Sequence, residues 1–171
     1  MGNQETIVNK YYLGLDCSSK AIHGVIINQN EEIVAQYKWG SKEKDFDSRF
    51  QSFSREFLAE LSTIKHTLLL RNDMLAAVES AIFIQNPKAT ISIASVIGVV
   101  RFVCDILNIN CCYVDNTKWK RQIVGKGNCS KKEIKQYAID KWGEVFKEQD
   151  FADAACIALW KKQEDINGTQ E

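Results

Sequence analysis

The spacing of apolar residues changes along the chain, and this change constrains the fold more than any other sequence feature. Near the start, short apolar runs occupy residues 11–17, 21–28 and 33–39, with only a few polar residues between them. Runs of this length between turn-forming residues are typical of β-strands, and links this short join antiparallel neighbours. The chain is therefore predicted to begin with three strands in an antiparallel meander.

After this meander, helical and strand-like spacing alternate. Apolar residues recurring three and four apart predict a helix over residues 45–64, and Pro87 marks the start of a second helical pattern over residues 88–107. A capping box formed by Ser130 and Glu133 predicts a helix over residues 130–142, and a last helix is predicted over residues 150–162. Short apolar runs predict strands over residues 75–79 and 109–114, and Asp115 and Asn116 are predicted to end the second of these strands. The order β-β-β-α-β-α-β-α-α predicts an α/β fold, in which a mixed five-stranded sheet (three antiparallel strands, then two parallel ones) carries helices on both faces.

The length of 171 residues fits one domain. We expect this domain to cover residues 10–162, with an N-terminal extension over residues 1–9 and a polar C-terminal tail over residues 163–171. Sequence repeats and an internal linker are absent, so a second domain is not expected.

The sequence carries no recognisable targeting signal. Its N-terminus lacks a basic and apolar leader. The longest apolar stretch, residues 89–107, includes Arg101 and Asp105, so a buried helix is expected there and not a membrane span. None of the six cysteines forms a C-x-x-C pair, which disfavours a zinc site. We therefore expect a cytoplasmic protein with reduced cysteines and no membrane association.

Four carboxylates stand in apolar surroundings: Asp16, Glu79, Asp150 and Asp153. Asp16 and Glu79 end predicted strands that could lie side by side in a parallel pair. Asp150 and Asp153 are three residues apart, so a helix would place them on one face. Burying carboxylates costs free energy unless a cation or hydrogen bonds compensate, and carboxylate oxygens suit Mg²⁺ or Mn²⁺.

Each carboxylate also has a simpler interpretation. Asp150 and Asp153 could be helix N-terminal acids favoured by the helix dipole. Asp16 could be a turn residue after a strand, and Glu79 could pair with a basic side chain. The metal hypothesis depends on all four converging.

The chain resembles RuvC-type Holliday junction resolvases, endonucleases of the RNase H-like superfamily, over about residues 10–162. The resemblance rests on five ordered segments: residues 13–19 (LGLDCSS), 77–80 (AVES), 91–103, 120–127 (KRQIVGKG) and 150–155 (DFADAA). Each segment is a weak signal by itself. All five segments in this order and with matching spacing are fairly specific for this family.

This resemblance implies an RNase H-like fold and a metal-binding tetrad of the four carboxylates. It implies two Mg²⁺ ions per subunit, which Mn²⁺ could replace, and a metal-activated water that attacks a phosphodiester. It also implies a homodimer that nicks two opposed strands of a four-way junction. Lys120 and Lys131 match basic positions that serve DNA binding and catalysis in these enzymes.

Two features each have two interpretations on the residues alone. The family often has an aromatic residue three positions after the glutamate, where this chain has Ile82; Phe83 follows and is either a DNA contact or a core residue. The apolar helix over residues 88–107 is either part of a dimer interface or a central helix of one subunit. With no histidine near the motifs in sequence, a histidine general base has little support.

The formal net charge is zero, with 22 basic and 22 acidic residues, but the charges are unevenly distributed. Residues 116–141 hold only two acidic residues and eight basic ones: Lys118, Lys120, Arg121, Lys126, Lys131, Lys132, Lys135 and Lys141. Trp119 lies among them, and Gly125 and Gly127 would let the backbone approach a phosphate. The segment is predicted to bind DNA, chiefly through the first seven of these side chains. The alternative is a solvated charged helix preceded by a flexible loop.

These features together predict a metal-dependent, structure-selective DNA endonuclease that resolves Holliday junctions. Two alternatives remain open on the sequence. The first is a relaxed nuclease for branched DNA, flaps or RNA–DNA hybrids. The second is a catalytically silent module that binds junctions.

Overall fold

The computed structural model describes residues 9–68, 73–80 and 86–168. Its five strands are β1 (Lys10–Cys17), β2 (Ala21–Asn28), β3 (Ile33–Gly40), β4 (Asp73–Glu79) and β5 (Asn110–Val114). They form one sheet in the order β3-β2-β1-β4-β5. The first three strands pair antiparallel, while β4 pairs parallel with both β1 and β5. The predicted mixed five-stranded sheet is confirmed.

Within the described ranges, five helices cover the sheet: α1 (Phe46–Leu68), α2 (Pro87–Ile106), α3 (Asn116–Ile123), α4 (Lys131–Trp142) and α5 (Gln149–Gly168). Helices α1 and α2 share one core with alternate strand residues such as Leu13 and Leu15. Helices α3, α4 and α5 share the opposite core with the intervening strand residues, among them Tyr12 and Ala77. The predicted helices on both faces are therefore present, and the period-two alternation of each strand decides which core a side chain enters.

Helix α5 packs directly on the central strand β1. A Cβ atom at Gly14 would overlap the carbonyl oxygen of Ala154 and the backbone nitrogen of Ala158. Alanines at these α5 positions and a glycine below them let the two backbones approach closely. This close contact fixes the start of α5 relative to the end of β1.

Helix α3 was not predicted. The Asp115–Asn116 pair was interpreted only as the end of β5, but the Asp115 carboxylate caps α3 by accepting hydrogen bonds from the backbone N–H groups of Thr117 and Lys118, at 2.8 and 3.1 Å. An eight-residue helix is too short to show a clear apolar period. Its buried residues Trp119 and Ile123, four apart, are the only such signal it offers.

Helix α5 extends beyond its predicted end at residue 162, so residues 163–168 of the expected polar tail are helical. Two polar side chains of this segment are held by the rest of the domain. The Lys118 ammonium lies 3.0 Å from Glu164 Oε2, and the Asp165 carboxylate accepts hydrogen bonds from Lys10 and Tyr12, both at 2.9 Å. These anchors stabilise a helical end that the sequence pattern alone does not reveal.

Helix α2 has one buried side and one exposed apolar side. Val96, Val100 and Val103 are buried against the sheet, whereas Ile91 and Phe102 are 66% and 64% exposed. By length and composition alone this helix could cross a membrane, with a mean hydropathy of 1.8. Only 28% of its apolar stretch is buried, so the helix packs on the sheet along one side and is not the fully buried helix that was predicted. Its exposed apolar side leaves the predicted dimer interface as a hypothesis.

Candidate metal centre

The alternation of β1 and β4 brings two candidate carboxylates to one edge of the sheet. Leu15 pairs with Val78 in the parallel register, so the next residues, Asp16 and Glu79, lie side by side where the two strands end, on the α5 side. Asp150 and Asp153 lie in the first turns of α5, directly above. The fold thus brings to one place four residues that are up to 137 positions apart in sequence.

Three of these carboxylates form what we call the acidic cluster: Asp16, Asp150 and Asp153. One oxygen atom from each lies within 4.8 Å of the other two. Asp153 is buried, and one of its oxygens accepts a 2.9 Å hydrogen bond from the Gln149 side chain. Spacing of this kind suits side chains that surround a single cation.

The acidic cluster is electrostatically strained. Burial raises the pKa of Asp16 well above its ordinary value, and the charges of the other three candidate carboxylates raise it further. Burial is also the main cause of the raised pKa values of Asp153 and Glu79. Bringing these carboxylates together costs free energy when they are ionised, and a bound cation would relieve that cost.

Glu79 lies beside the acidic cluster but outside the 4.8 Å set. Its two oxygens accept hydrogen bonds from Asn116 Nδ2 at 2.6 Å and from Trp119 Nε1 at 2.8 Å. The indole of Trp119 is fully buried. Trp119 was interpreted from sequence as an aromatic residue of a nucleic-acid-binding segment, but it is a core residue of α3 that orients Glu79.

A histidine stands at this site, contrary to the sequence interpretation. His23 on β2 pairs with Asp16 across the hairpin and is only 3% exposed. Its Nδ1 atom lies 3.7 Å from Asp150 Oδ2, and its Nε2 atom lies 3.3 Å from Glu148 Oε2. Burial lowers the pKa of His23, and the nearby carboxylates oppose that shift. The short link between β1 and β2 was the signal, since a tight hairpin must place residues 16 and 23 opposite each other.

Two of the predicted basic residues border the carboxylates. Lys131 Nζ lies 3.7 Å from Asp150 Oδ1, and its side chain is 74% exposed. Lys120 Nζ lies 5.5 Å from the ring centre of Trp119, whose indole N–H donates to Glu79. The charge of Lys120 partly opposes the rise in the pKa values of Glu79 and Asp153. These two lysines are therefore in position to contact a phosphate that approaches the acidic cluster.

Other basic residues of the segment are engaged within the chain. Lys118 pairs with Glu164 and lies 5.1 Å from the Trp160 ring centre, while Lys126 pairs with Glu133. Lys141 and Lys162 both pair with Glu31. Arg121, Lys132 and Lys135 are exposed on α3 and α4. The basic excess of the segment is thus partly neutralised before any ligand binds.

Local backbone geometry accounts for both glycines of the loop after α3. Gly125 has a φ of 101°, which favours glycine, and a Cβ at Gly127 would lie only 3.0 Å from the carbonyl oxygen of Thr117. The loop is a tight turn against α3. Phe83 and Ile82, the residues considered for a DNA contact, lie outside the described residues.

The sheet order, the helices on both faces and the carboxylates at the ends of β1 and β4 define an RNase H-like fold. Family profiles and curated protein sequences give no match to this chain. Solved structures do match: Thermus thermophilus RuvC in complex with a Holliday junction substrate superposes with a TM-score of 0.76 at 15% identity, covering 93% of this chain and 96% of that one. A second structure of Thermus thermophilus RuvC gives a TM-score of 0.74, also at 15% identity, with coverage of 93% and 97%. The chain therefore has a RuvC-like fold over nearly its full length.

Proposed function

We propose that this protein is a metal-dependent, structure-selective DNA endonuclease that resolves Holliday junctions by paired symmetric nicks. The observation that carries this proposal is the acidic cluster, with Glu79 beside it, at the end of the central strands. The similarity to RuvC supports it at the level of the fold, and one of the similar RuvC structures is described as a complex with a Holliday junction substrate.

The donor set fits a divalent cation. Asp16, Asp150 and Asp153 supply oxygen ligands, and their mutual repulsion is the electrostatic setting that a cation stabilises. Glu79 is held close by Trp119 and Asn116 and could complete a second position. Two Mg²⁺ ions, or Mn²⁺ in their place, would supply an activated water and stabilise the leaving oxygen of the phosphodiester.

Other residues of the chain would orient the metal ligands and bind the DNA backbone. Trp119 and Asn116 fix the Glu79 carboxylate, and Gln149 fixes that of Asp153. Lys120 and Lys131 would bind phosphate oxygens beside the scissile bond. A homodimer would present two such sites to the two opposed strands of a junction, and the exposed apolar side of α2 is the proposed subunit contact.

A cleavage assay tests this function. The protein is incubated with labelled four-way junction, flap, duplex and RNA–DNA hybrid, each with Mg²⁺ and with EDTA. Symmetric nicks in the junction alone, abolished by EDTA, are the expected result. Comparable cleavage of flaps or hybrids would instead identify a relaxed nuclease, and junction binding without cleavage of any substrate would identify a binding module.

A further inference from the structure

His23 belongs to none of the sequence motifs described above, yet it faces the acidic cluster from β2. Its imidazole is buried, and the Phe151 ring packs against it edge-on at a centroid distance of 5.1 Å. Asp150 joins two groups of potential ligand atoms, one with Asp16 and Asp153 and the other with His23 and Glu148. The candidate metal centre therefore includes a potential nitrogen ligand beside its carboxylates.

We propose that His23 Nδ1 and the Asp150 carboxylate bind one metal ion together, which makes one position of the centre a mixed nitrogen and oxygen site. This inference rests on the proposed metal-dependent function and names a ligand for it. It adds a histidine to the carboxylates that the resemblance implies.

The surroundings of the other ring nitrogen support this role. Nε2 lies 3.3 Å from Glu148 Oε2, and Lys38 holds the Glu148 carboxylate with contacts of 2.6 and 2.8 Å. With the proton on Nε2, the ring donates to Glu148 and leaves the Nδ1 lone pair facing Asp150. Histidines that bind metals are usually oriented in this way, by a carboxylate on the second nitrogen.

The distance between the two proposed ligand atoms also fits. Ligand atoms about 2.1 Å from an ion are about 3 Å apart at a right angle and about 4.2 Å apart when opposite each other. The Nδ1–Oδ2 distance of 3.7 Å lies between these limits. Glu148, already paired with Lys38, is better suited to orient His23 than to bind the ion itself.

Access from solvent comes through a cavity of about 490 Å³ lined by His23, Asp150 and Glu148. Lys20, Lys38 and Lys42 also line this cavity. Because imidazole suits transition metals whereas Mg²⁺ prefers oxygen ligands, a site with His23 should favour Mn²⁺ over Mg²⁺.

Pulsed electron paramagnetic resonance of the Mn²⁺-loaded protein tests the inference directly. We expect a ¹⁴N coupling to Mn²⁺ in the wild-type protein that changes when histidine is labelled with ¹⁵N. The chain has only two histidines, so the exposed His66 provides the matched control. The coupling should persist in His66→Ala and disappear in His23→Gln.

Binding titrations give a second measurement. Glu148→Gln should weaken Mn²⁺ binding by roughly tenfold, as expected for an outer partner, and should keep the nitrogen coupling. The labelling experiment needs no substitution, so a misfolded variant does not affect it. Bound Mn²⁺ without nitrogen coupling would overturn the role of His23 and leave the endonuclease proposal intact. Failure of the proposed function would appear separately, as absence of cleavage in the junction assay.

Discussion

Helices α2 and α5 are each 20 residues long, but the fold uses them in opposite ways. Every residue of α5 from Phe151 to Trp160 is buried, although this helix also carries charged side chains at its start and end. The more apolar α2 buries only one side and leaves Phe102 exposed. Burial therefore follows position over the central strand β1 more closely than it follows apolar content.

The two helices also differ in their proposed roles, since α5 carries candidate metal ligands and α2 carries the proposed subunit contact. Helix α5 brings Asp150 and Asp153 to the ends of β1 and β4, so it carries the candidate metal centre. The apolar side of helix α2 is exposed and is not covered by any of the residues that the structure describes. Such a surface suits contact with a second subunit. The predictions below test this division.

The largest expected effect is on cleavage. Asp153→Asn on α5 should lower junction cleavage by more than about 100-fold, since losing even an outer metal partner costs roughly 10–100-fold. Junction binding should change little. Asp105→Asn on the exposed part of α2 is the matched control and should cleave normally. Normal cleavage by Asp153→Asn would remove this residue from the metal centre.

A second test concerns the close packing of α5. Gly14→Ala should lower the free energy of unfolding by about 3 kcal/mol, because the added methyl group meets the backbone of α5. In α2, an added Cβ at Gly98 meets no described atom within 4 Å. Gly98→Ala should therefore stabilise by about 0.5–1 kcal/mol through helix propensity. Urea unfolding measures both, and similar values for the two variants would contradict the comparison.

The acidic cluster predicts a pH dependence of stability. Because the pKa of Asp16 is raised in the folded protein, its ionisation opposes folding, and this cost grows as the pH rises above the unfolded pKa. Asp16→Asn removes the cost, so in EDTA it should raise Tm at neutral pH and have little effect at acidic pH. Added Mn²⁺ should reduce the difference by stabilising the wild-type protein. If Asp16→Asn and the wild-type protein had equal Tm values in EDTA at every pH, repulsion among these carboxylates would be excluded as a cost to folding.

The assembly hypothesis predicts a smaller energetic effect. Phe102→Ser with Ile106→Ser should convert a dimer to a monomer in sedimentation experiments. The stability of the monomer should change by only about 0.5 kcal/mol, since both side chains are exposed. By contrast, Ile157→Ala on α5 should cost roughly 2–5 kcal/mol. A wild-type protein that sediments as a monomer would exclude α2 as a stable interface.

The smallest expected effect is on DNA binding by the lysines of α3 and α4. Lys131→Ala should weaken junction binding uniformly and reduce the slope of log K against log salt by about one. Lys118→Ala should reduce it less, because Lys118 is already paired with Glu164. Fluorescence anisotropy at several salt concentrations distinguishes the two lysines. Equal slopes for the two variants would show that the ion pair with Glu164 does not reduce the contribution of Lys118 to DNA binding.

Local signals predicted most of the secondary structure. The capping box of Ser130 and Glu133 begins α4, and Pro87 begins α2, as expected. The same local signals missed α3, because its capping residue Asp115 also ends a strand. They also ended α5 early, because ion pairs with distant residues stabilise its last turn.

The candidate site was predicted only in part, for a related reason. The four carboxylates were found because each stands out from apolar neighbours, and the structure brings three of them together with Glu79 alongside. His23 was missed because its only link to Asp16 is the hairpin register. The ion pairs of Lys118 with Glu164 and of Lys126 with Glu133 form only because the fold brings these acidic side chains to the lysines.

By itself, the sequence determined the strand order along the chain, the starts of four helices and the residue types able to bind a cation, because these depend on spacing and composition over short distances. Only the tertiary structure decided that α5 lies over β1, that Trp119 orients Glu79, and that a buried histidine completes the surroundings of Asp150. Those contacts join residues far apart in sequence, where no local pattern specifies which side chains meet.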